Sequence, residues 1–167
     1  CRSSYVLECS ARGYEVYVFD EDNNRSDFKG FRADFINQCA LDYLDQYTGE
    51  KPFFRTVSQI EPHHQNDHNH YEGPIGSRQR LANFVLPEDL KALGGNAADE
   101  YPDYLGQCAS LDENLGRLVA TLMEKGIYDN TVIIYASDHG PHFKPPYRDA
   151  QLNGYVDFIP SLHDGIL

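Results

Sequence analysis

The sequence predicts an α/β fold in which helices cover a largely parallel sheet. Val132–Ala136 is a short apolar run, β-branched at its start, which is typical of a strand buried on both faces. Two successive helix–strand units can be recognised, and each strand leads into a cluster of Asp and His residues. Because ligands in open α/β sheets bind beyond the carboxyl ends of the strands, both clusters are expected at one rim of the sheet.

The first helix–strand unit starts after an N-terminal stretch in which Tyr14–Phe19 alternates like a strand. Apolar side chains recur at helical spacing over Phe31–Tyr47, and a glycine and a proline follow shortly afterwards. Phe53–Ile60 then has the composition of a strand. It leads into Glu61–His70, where four of the seven histidines of the chain are concentrated.

The second unit repeats this order. Tyr101–Lys125 carries one apolar stripe and predicts a helix, with Gly126 placed to cap its C-terminus. The buried-type strand follows and ends in Ser137–Gly140. The connection between the units, from about Glu61 to Glu100, has a short helical signal at Pro87–Leu93 and is long enough to suggest a functional loop.

Bulk properties narrow the function classes. At 167 residues the chain is long enough for one domain with a sizeable core, taken as residues 1–167. The net charge of −12 argues against nucleic acid as a partner, because nucleic acid selects a basic surface. No run is apolar enough to predict a membrane span, and no signal peptide is visible. Cys39 and Cys108 lie on apolar helix faces and are expected to be buried thiols.

The residues themselves leave several chemistries open. Asp138 and His139, at a predicted strand end, could both point at one metal ion, or could cap a turn and form an ordinary hydrogen bond. The histidines between His63 and His70 could meet an anion, donate a proton, hold a zinc-type ion, or lie in a solvated loop. Lys144 follows closely enough to reach the same rim. No nucleophile elbow or phosphate-binding glycine loop is present.

Taken as an ordered set, these segments resemble the type I sulfatases of the alkaline phosphatase superfamily. The resemblance is clearest over residues 30–143. It is carried by Lys51–Phe54, Val57–His68, Pro102–Gly106, Ser110–Gly116, Lys125–Thr131 and Ile133–Gly140.

The resemblance implies a mixed, mostly parallel sheet flanked by helices and the hydrolysis of a sulfate ester or sulfamate. It implies that Asp138 and His139 bind a divalent cation, usually calcium, with the carboxylate as the surer ligand. His63 maps onto the family's histidine that contacts the sulfate or the leaving oxygen, with His64 as the alternative, and Lys144 is a local candidate for substrate binding. A sulfated small molecule or glycan is the implied partner, and an extracytoplasmic location is implied for the enzyme.

The chain also departs from the family pattern. The family's nucleophile is a formylglycine made from Cys or Ser in a C-x-[PA]-x-R setting, and Cys9–Gly13 is a near miss with the arginine one place early. The family's N-terminal Asp pair has no counterpart. Only Pro141–Gly154 separates Asp-His-Gly from a segment, Tyr155–Leu162, that resembles a later part of the family. The chain is therefore interpreted as a partial catalytic domain that is incomplete alone.

Two alternatives to the sulfatase hypothesis remain. A phosphatase or phosphodiesterase of the same superfamily would use a Ser or Thr nucleophile, with the His63–His70 cluster supplying metal ligands. A non-catalytic metal- or partner-binding remnant would self-associate, because a truncated sheet leaves unpaired strand edges.

Overall fold

The structure is a computed structural model, and it describes residues 6–8, 15–19, 22–63, 70–93, 95–138, 140–141 and 143. Three strands are followed by four helices and a 3-10 turn. They are β1 (Val6–Glu8), β2 (Glu15–Phe19), β3 (Arg25–Lys29), α1 (Arg32–Gln46), α2 (Ser77–Leu81), α3 (Glu88–Leu93), α4 (Ala97–Glu124) and the turn Tyr128–Asn130.

The three strands form an antiparallel sheet in the order β1-β2-β3. The register pairs Tyr17 with Asp27 and Phe19 with Arg25, so these four side chains share one face. On that face the Arg25 guanidinium lies 4.2 Å from the centre of the Tyr17 ring and forms an ion pair with Asp27 at 2.7 Å. Asn23, with φ of 62°, supplies the left-handed residue between β2 and β3. The predicted strand at Tyr14–Phe19 is confirmed as β2.

Helices α1 and α4 confirm the two predicted helices. Polar contacts join them in increasing sequence order along both helices, so the two helices run in the same direction. Helices that run in the same direction are typical of helix–strand–helix repeats. The contacts are Asn114 Nδ2 to Asp34 Oδ1 at 2.9 Å, Arg117 Nη2 to Gln38 Oε1 at 3.2 Å, and Lys125 Nζ to the Asp45 carbonyl at 3.3 Å.

The two strands predicted at Phe53–Ile60 and Val132–Ala136 are not formed. Both stretches lack helix and sheet structure, and the sheet within the described ranges contains only β1 to β3. Val132 and Ile134 are 87% and 84% exposed, whereas a strand buried on both faces was expected. The physical reason is that a strand needs a neighbour for its backbone hydrogen bonds, and no described segment pairs with either stretch.

The described residues divide into two compact units. The first draws its members from Cys1–Glu61 and Cys108–Thr131 together with His70, and its core includes Phe31, Ala33 and Leu111. The second draws its members from Pro62–His64, Tyr71–Gln107 and Val132–Leu167. Its core contains Tyr71, Leu90, Ala97 and Phe143. None of the helices in the described part has the length and hydropathy that crossing a bilayer requires.

Candidate functional site

A buried ion pair holds the chain just before His63. Arg32, the first residue of α1, donates from Nε to Glu61 Oε1 at 2.8 Å, and only 6% and 1% of these side chains are exposed. The second carboxylate oxygen of Glu61 has no hydrogen-bond partner within the part of the chain that the structure describes. Charges removed from water in this way are costly to separate, so the pair ties Glu61 to the start of α1 in the first unit.

In the second unit, the chain after the histidine cluster is bound by the first half of α4. The Tyr71 N–H donates to Glu100 Oε2 at 3.2 Å, and the Gly73 N–H donates to Asp103 Oδ1 at 3.3 Å. A further bond runs from Gln107 Nε2 to the Glu72 carbonyl at 3.0 Å. Side chains spaced three and four residues apart lie on one face of a helix, so a single face of α4 binds this irregular segment by its backbone.

Arg78 and two glycines complete this contact. Arg78 donates from Nε to Asp103 Oδ2, and this hydrogen bond is the main cause that raises the pKa of Arg78. A Cβ at Gly106 would overlap the Oγ and Cβ atoms of Ser77, and a Cβ at Gly73 would lie 2.7 Å from the Asp103 carbonyl oxygen. The two segments therefore approach each other too closely for any larger side chain.

An aromatic cluster connects the Asp138 segment with the same part of α4. Phe143, which is 6% exposed, packs its ring 5.2 Å from that of Tyr71, centroid to centroid. The rings of Tyr104 and Tyr101 lie 5.7 and 6.1 Å from Phe143. Ring pairs at such distances add to the stability that their burial gives. The chain is thus anchored five residues after Asp138.

The structure places two of the five predicted site residues. His63 is half-buried and Asp138 is exposed, and both belong to the second unit. His64, His139 and Lys144 lie outside the described residues, as does most of the His63–His70 cluster. The catalytic role of His63, the substrate contacts of His64 and Lys144, and the metal-binding role of Asp138 and His139 stay predictions.

The described residues do not complete a metal site. Within the described ranges, no group of three or more His, Cys, Asp or Glu side chains lies close enough together to hold an ion. Calcium takes about six to eight oxygen ligands, of which one carboxylate supplies at most two. Asp138 has the chemistry of one such ligand.

Sequence reasoning missed the residues that hold these segments in place. Arg32, Glu61, Tyr71 and Phe143 were not singled out, although each is buried in the structure. A partial indication for Glu61 was present in the sequence, where it is a single acidic residue directly before Pro62 and His63. Their partners are distant in sequence, Glu61 lying 29 residues from Arg32, and local patterns do not reveal such pairs.

Comparisons with known proteins agree with this architecture. The sequence model of the Sulfatase family matches residues 9–160. An ulvan-active sulfatase from Formosa agariphila is 28% identical over 145 residues, which is 81% of this chain and 27% of that protein. The crystal structure of yidJ from Bacteroides fragilis, described as a sulfatase, superposes with a TM-score of 0.64 at 20% identity, covering 77% of this chain and 30% of that one.

A second solved structure was determined in complex with its substrate, D-glucosamine-2-N,6-O-disulfate. It superposes with a TM-score of 0.56 at 19% identity and covers 82% of this chain and 43% of its own. At these identities the likeness concerns the fold alone, and it confirms the predicted alkaline phosphatase-like α/β class, here in partial form.

The chain belongs to the Sulfatase family, since the family model covers most of its length. It spans between 27% and 43% of the length of the three relatives described above. The predicted resemblance is thereby confirmed.

Proposed function

We propose that the protein hydrolyses sulfate esters or sulfamates, and that this chain carries its acid catalyst and part of its cation site. The observation that carries the proposal is the Sulfatase match over residues 9–160, which includes both His63 and Asp138. The assignment of both residues to one compact unit of the structure supports it.

His63 is the proposed proton donor. An imidazole titrates near neutral pH, so it can hold a proton and release it to the oxygen or nitrogen that departs when the bond to sulfur breaks. Its side chain is half-buried and therefore still partly accessible. His64 and Lys144 are proposed to contact the sulfate group, whose negative charge favours cationic or hydrogen-bond-donating side chains.

Asp138 and His139 are proposed to hold a divalent cation, with calcium the expected ion. A bound cation at this position would polarise the sulfate oxygens. Asp138 is exposed and therefore accessible to an ion and to substrate. The formylglycine nucleophile expected for the family has no matching Cys or Ser in this chain, and no step is assigned to the four cysteines.

We propose a sulfated glycan as the substrate class. One relative is named for its activity on ulvan, and one structural neighbour was solved with a doubly sulfated glucosamine. An extracytoplasmic location is proposed with it, as the family resemblance implies.

The cation proposal is tested by calorimetric titration of the chain with calcium. We expect one weakly bound ion, because this chain supplies only part of the site, and we expect Asp138→Asn to weaken binding at least about tenfold because it removes the charge of an oxygen ligand. Asp112→Asn is the matched control, since Asp112 is an exposed carboxylate on α4 outside the proposed site. Equal weakening in both variants would contradict the assignment, and two bound zinc ions would favour a phosphatase or phosphodiesterase instead.

The interpretation of the chain as an incomplete catalytic domain is tested with 4-nitrophenyl sulfate. We expect little or no turnover by this chain, because no residue stands in the nucleophile's sequence setting. Robust turnover by the chain would show that its catalytic machinery is complete and that the fragment interpretation is wrong.

One observation favours a second role, association with another chain. Val132, Ile134 and Tyr135 are 87%, 84% and 70% exposed in a β-branched run that carries no charge. Leaving such side chains in water forgoes about 1.5–3 kcal/mol each relative to full burial. A strand supplied by another chain could pair with the backbone of this run, and side chains of that chain could pack against the exposed ones.

Light scattering after size-exclusion chromatography tests this second role. We expect a concentration-dependent increase in mass for the chain and its suppression in Ile134→Lys, which introduces a charge into the run. A mass that stays monomeric at every concentration would count against self-association.

A further inference from the structure

Tyr71 contacts two other segments of the second unit, α4 and the chain at Phe143. Its backbone N–H donates to Glu100 at 3.2 Å, and its side chain is almost completely buried at 1% exposure. Its ring packs edge to face on Tyr104, with 5.5 Å between centroids, and against Phe143 at 5.2 Å. It directly follows His70, the last residue of the histidine cluster.

Phe143 has the corresponding position after Asp138. Its ring contacts Tyr71, Tyr101 and Tyr104 and completes the buried cluster that includes Leu90 and Ala97. Five residues of extended chain span at most about 17 Å, so Asp138 cannot lie farther than that from the Phe143 backbone. Asp138 itself is exposed, whereas Phe143, five residues later, is buried.

We propose that Tyr71 and Phe143 are positioning residues that hold the His63 segment and the Asp138 segment on one base, the first turns of α4. This inference rests on the proposed function, since it explains how the proposed proton donor and the proposed cation ligand come to face one substrate. The contact between the two rings joins the two chain segments directly. Removing the Phe143 ring takes away the contacts of the Asp138 segment with Tyr71 and with α4, whereas the His63 segment keeps the bond from the Tyr71 N–H to Glu100, so the mutual position of the two segments becomes variable.

A merely structural role for the cluster makes a different prediction. If Phe143 only stabilises the second unit, its truncation lowers stability without altering the coupling between His63 and Asp138. Core truncations commonly destabilise a protein, so the readout must separate local from global effects.

The experiment is nuclear magnetic resonance of the full chain with manganese(II) chloride as the paramagnetic probe. In the wild type we expect the ion to broaden the Ser137 and Gly140 amides and the His63 ring protons. In Phe143→Ala we expect the first signals to broaden as before and the His63 signals to remain sharp. We also expect the Tyr71 amide to exchange with solvent about tenfold faster or more, because its bond to Glu100 loses the support of the ring contact.

The matched control is Phe53→Leu, which removes ring contacts with Tyr43 and Tyr47 in the first unit and should change none of these readouts. Broadening of His63 that is equal in the wild type and in Phe143→Ala would overturn the proposal, as would a His63 ring that stays sharp while Asp138's neighbours broaden in the wild type. If manganese(II) broadened none of these signals, the proposed cation site would be contradicted. In that case amide exchange decides, and a Tyr71 amide that is unchanged in Phe143→Ala, or that accelerates no more than the α1 amides, would overturn the positioning role.

Discussion

The two halves of α4 form different kinds of contact. In the second unit its first half binds irregular chain, with the side chains of Glu100, Asp103 and Gln107 bonded to backbone atoms and Gly106 in close contact with Ser77. In the first unit its second half lies beside α1 and is joined to it by side-chain bonds, and a Cβ at Gly116 would meet nothing within 4 Å.

This difference shows what each half tolerates. The α4 side chains bond to the backbone of the irregular segment, so substitutions of that segment's own side chains leave these bonds in place. An atom added where the two segments touch would disturb the contact. In the first unit, polar bonds join α1 and α4 beside a small apolar core, and the open space around the exposed Gly116 accepts an added atom. The second unit is therefore expected to be sterically strict, and the first unit is expected to depend on its polar pairs.

The largest expected effect is in the first unit, at the Arg32–Glu61 pair. Arg32→Met leaves the Glu61 carboxylate buried without its partner and should lower the free energy of unfolding by about 3–5 kcal/mol. Urea denaturation followed by circular dichroism measures the loss. Arg32→Met combined with Glu61→Gln should recover much of it, and no recovery would show that the charge is not the cause.

The next effect breaks the strict contact in the second unit. Gly106→Ala places a methyl group against Ser77 and should cost about 1–3 kcal/mol, although alanine is the better helix former. In a Ser77→Gly background the same substitution should cost nothing, because the opposing atoms are gone. Equal losses in both backgrounds would contradict the steric explanation.

Gly116→Ala sharpens the comparison in the opposite direction. The space around Gly116 is open, so only helix propensity acts, and the substitution should stabilise the chain by about 1 kcal/mol. The midpoint of thermal unfolding should rise accordingly. A decrease would mean that the second half of α4 is packed as tightly as the first.

The smallest expected effect concerns pH and α1. Burial, with a contribution from Asp42, raises the pKa of the Cys39 thiol above its ordinary value of 9.0. The unfolded chain therefore ionises first as pH rises, so this group's contribution to stability is present below pH 9.0 and is lost above it. The difference in stability between wild type and Cys39→Ala should shift in favour of the variant between neutral pH and about pH 10. A constant difference would contradict the shift.

The helices were predictable because their signals are local. The helical spacing of apolar residues predicted both ends of α1 to within one residue. Gly126, with φ of 67°, follows the C-terminal end of α4 as predicted. The start of α4 was placed too late, at Tyr101 instead of Ala97. The missed signal was Asn96, whose carbonyl accepts from the first turn, followed by the acidic residues that favour a helix N-terminus.

Strands and the candidate site were less predictable because they depend on distant partners. β3 was missed since its sequence is polar apart from Phe28, and it is a strand because β2 pairs with it. Phe53–Ile60 has strand composition but no neighbour within the described chain. In the same way, the motif at Asp138 could be found from the sequence, whereas its anchoring through Phe143 and Tyr71 required coordinates.

The contacts between α1 and α4 also constrain the order of folding. Asn114 bonds to Asp34 and Lys125 to Asp45, each across 80 residues of sequence. During synthesis α1 leaves the ribosome long before its partner exists, and closing so long a loop is slow. Until α4 has emerged, the part of α1 that bonds to it has only earlier segments such as Phe28 and Phe53 as neighbours, and a chaperone could bind the surface that α4 later covers.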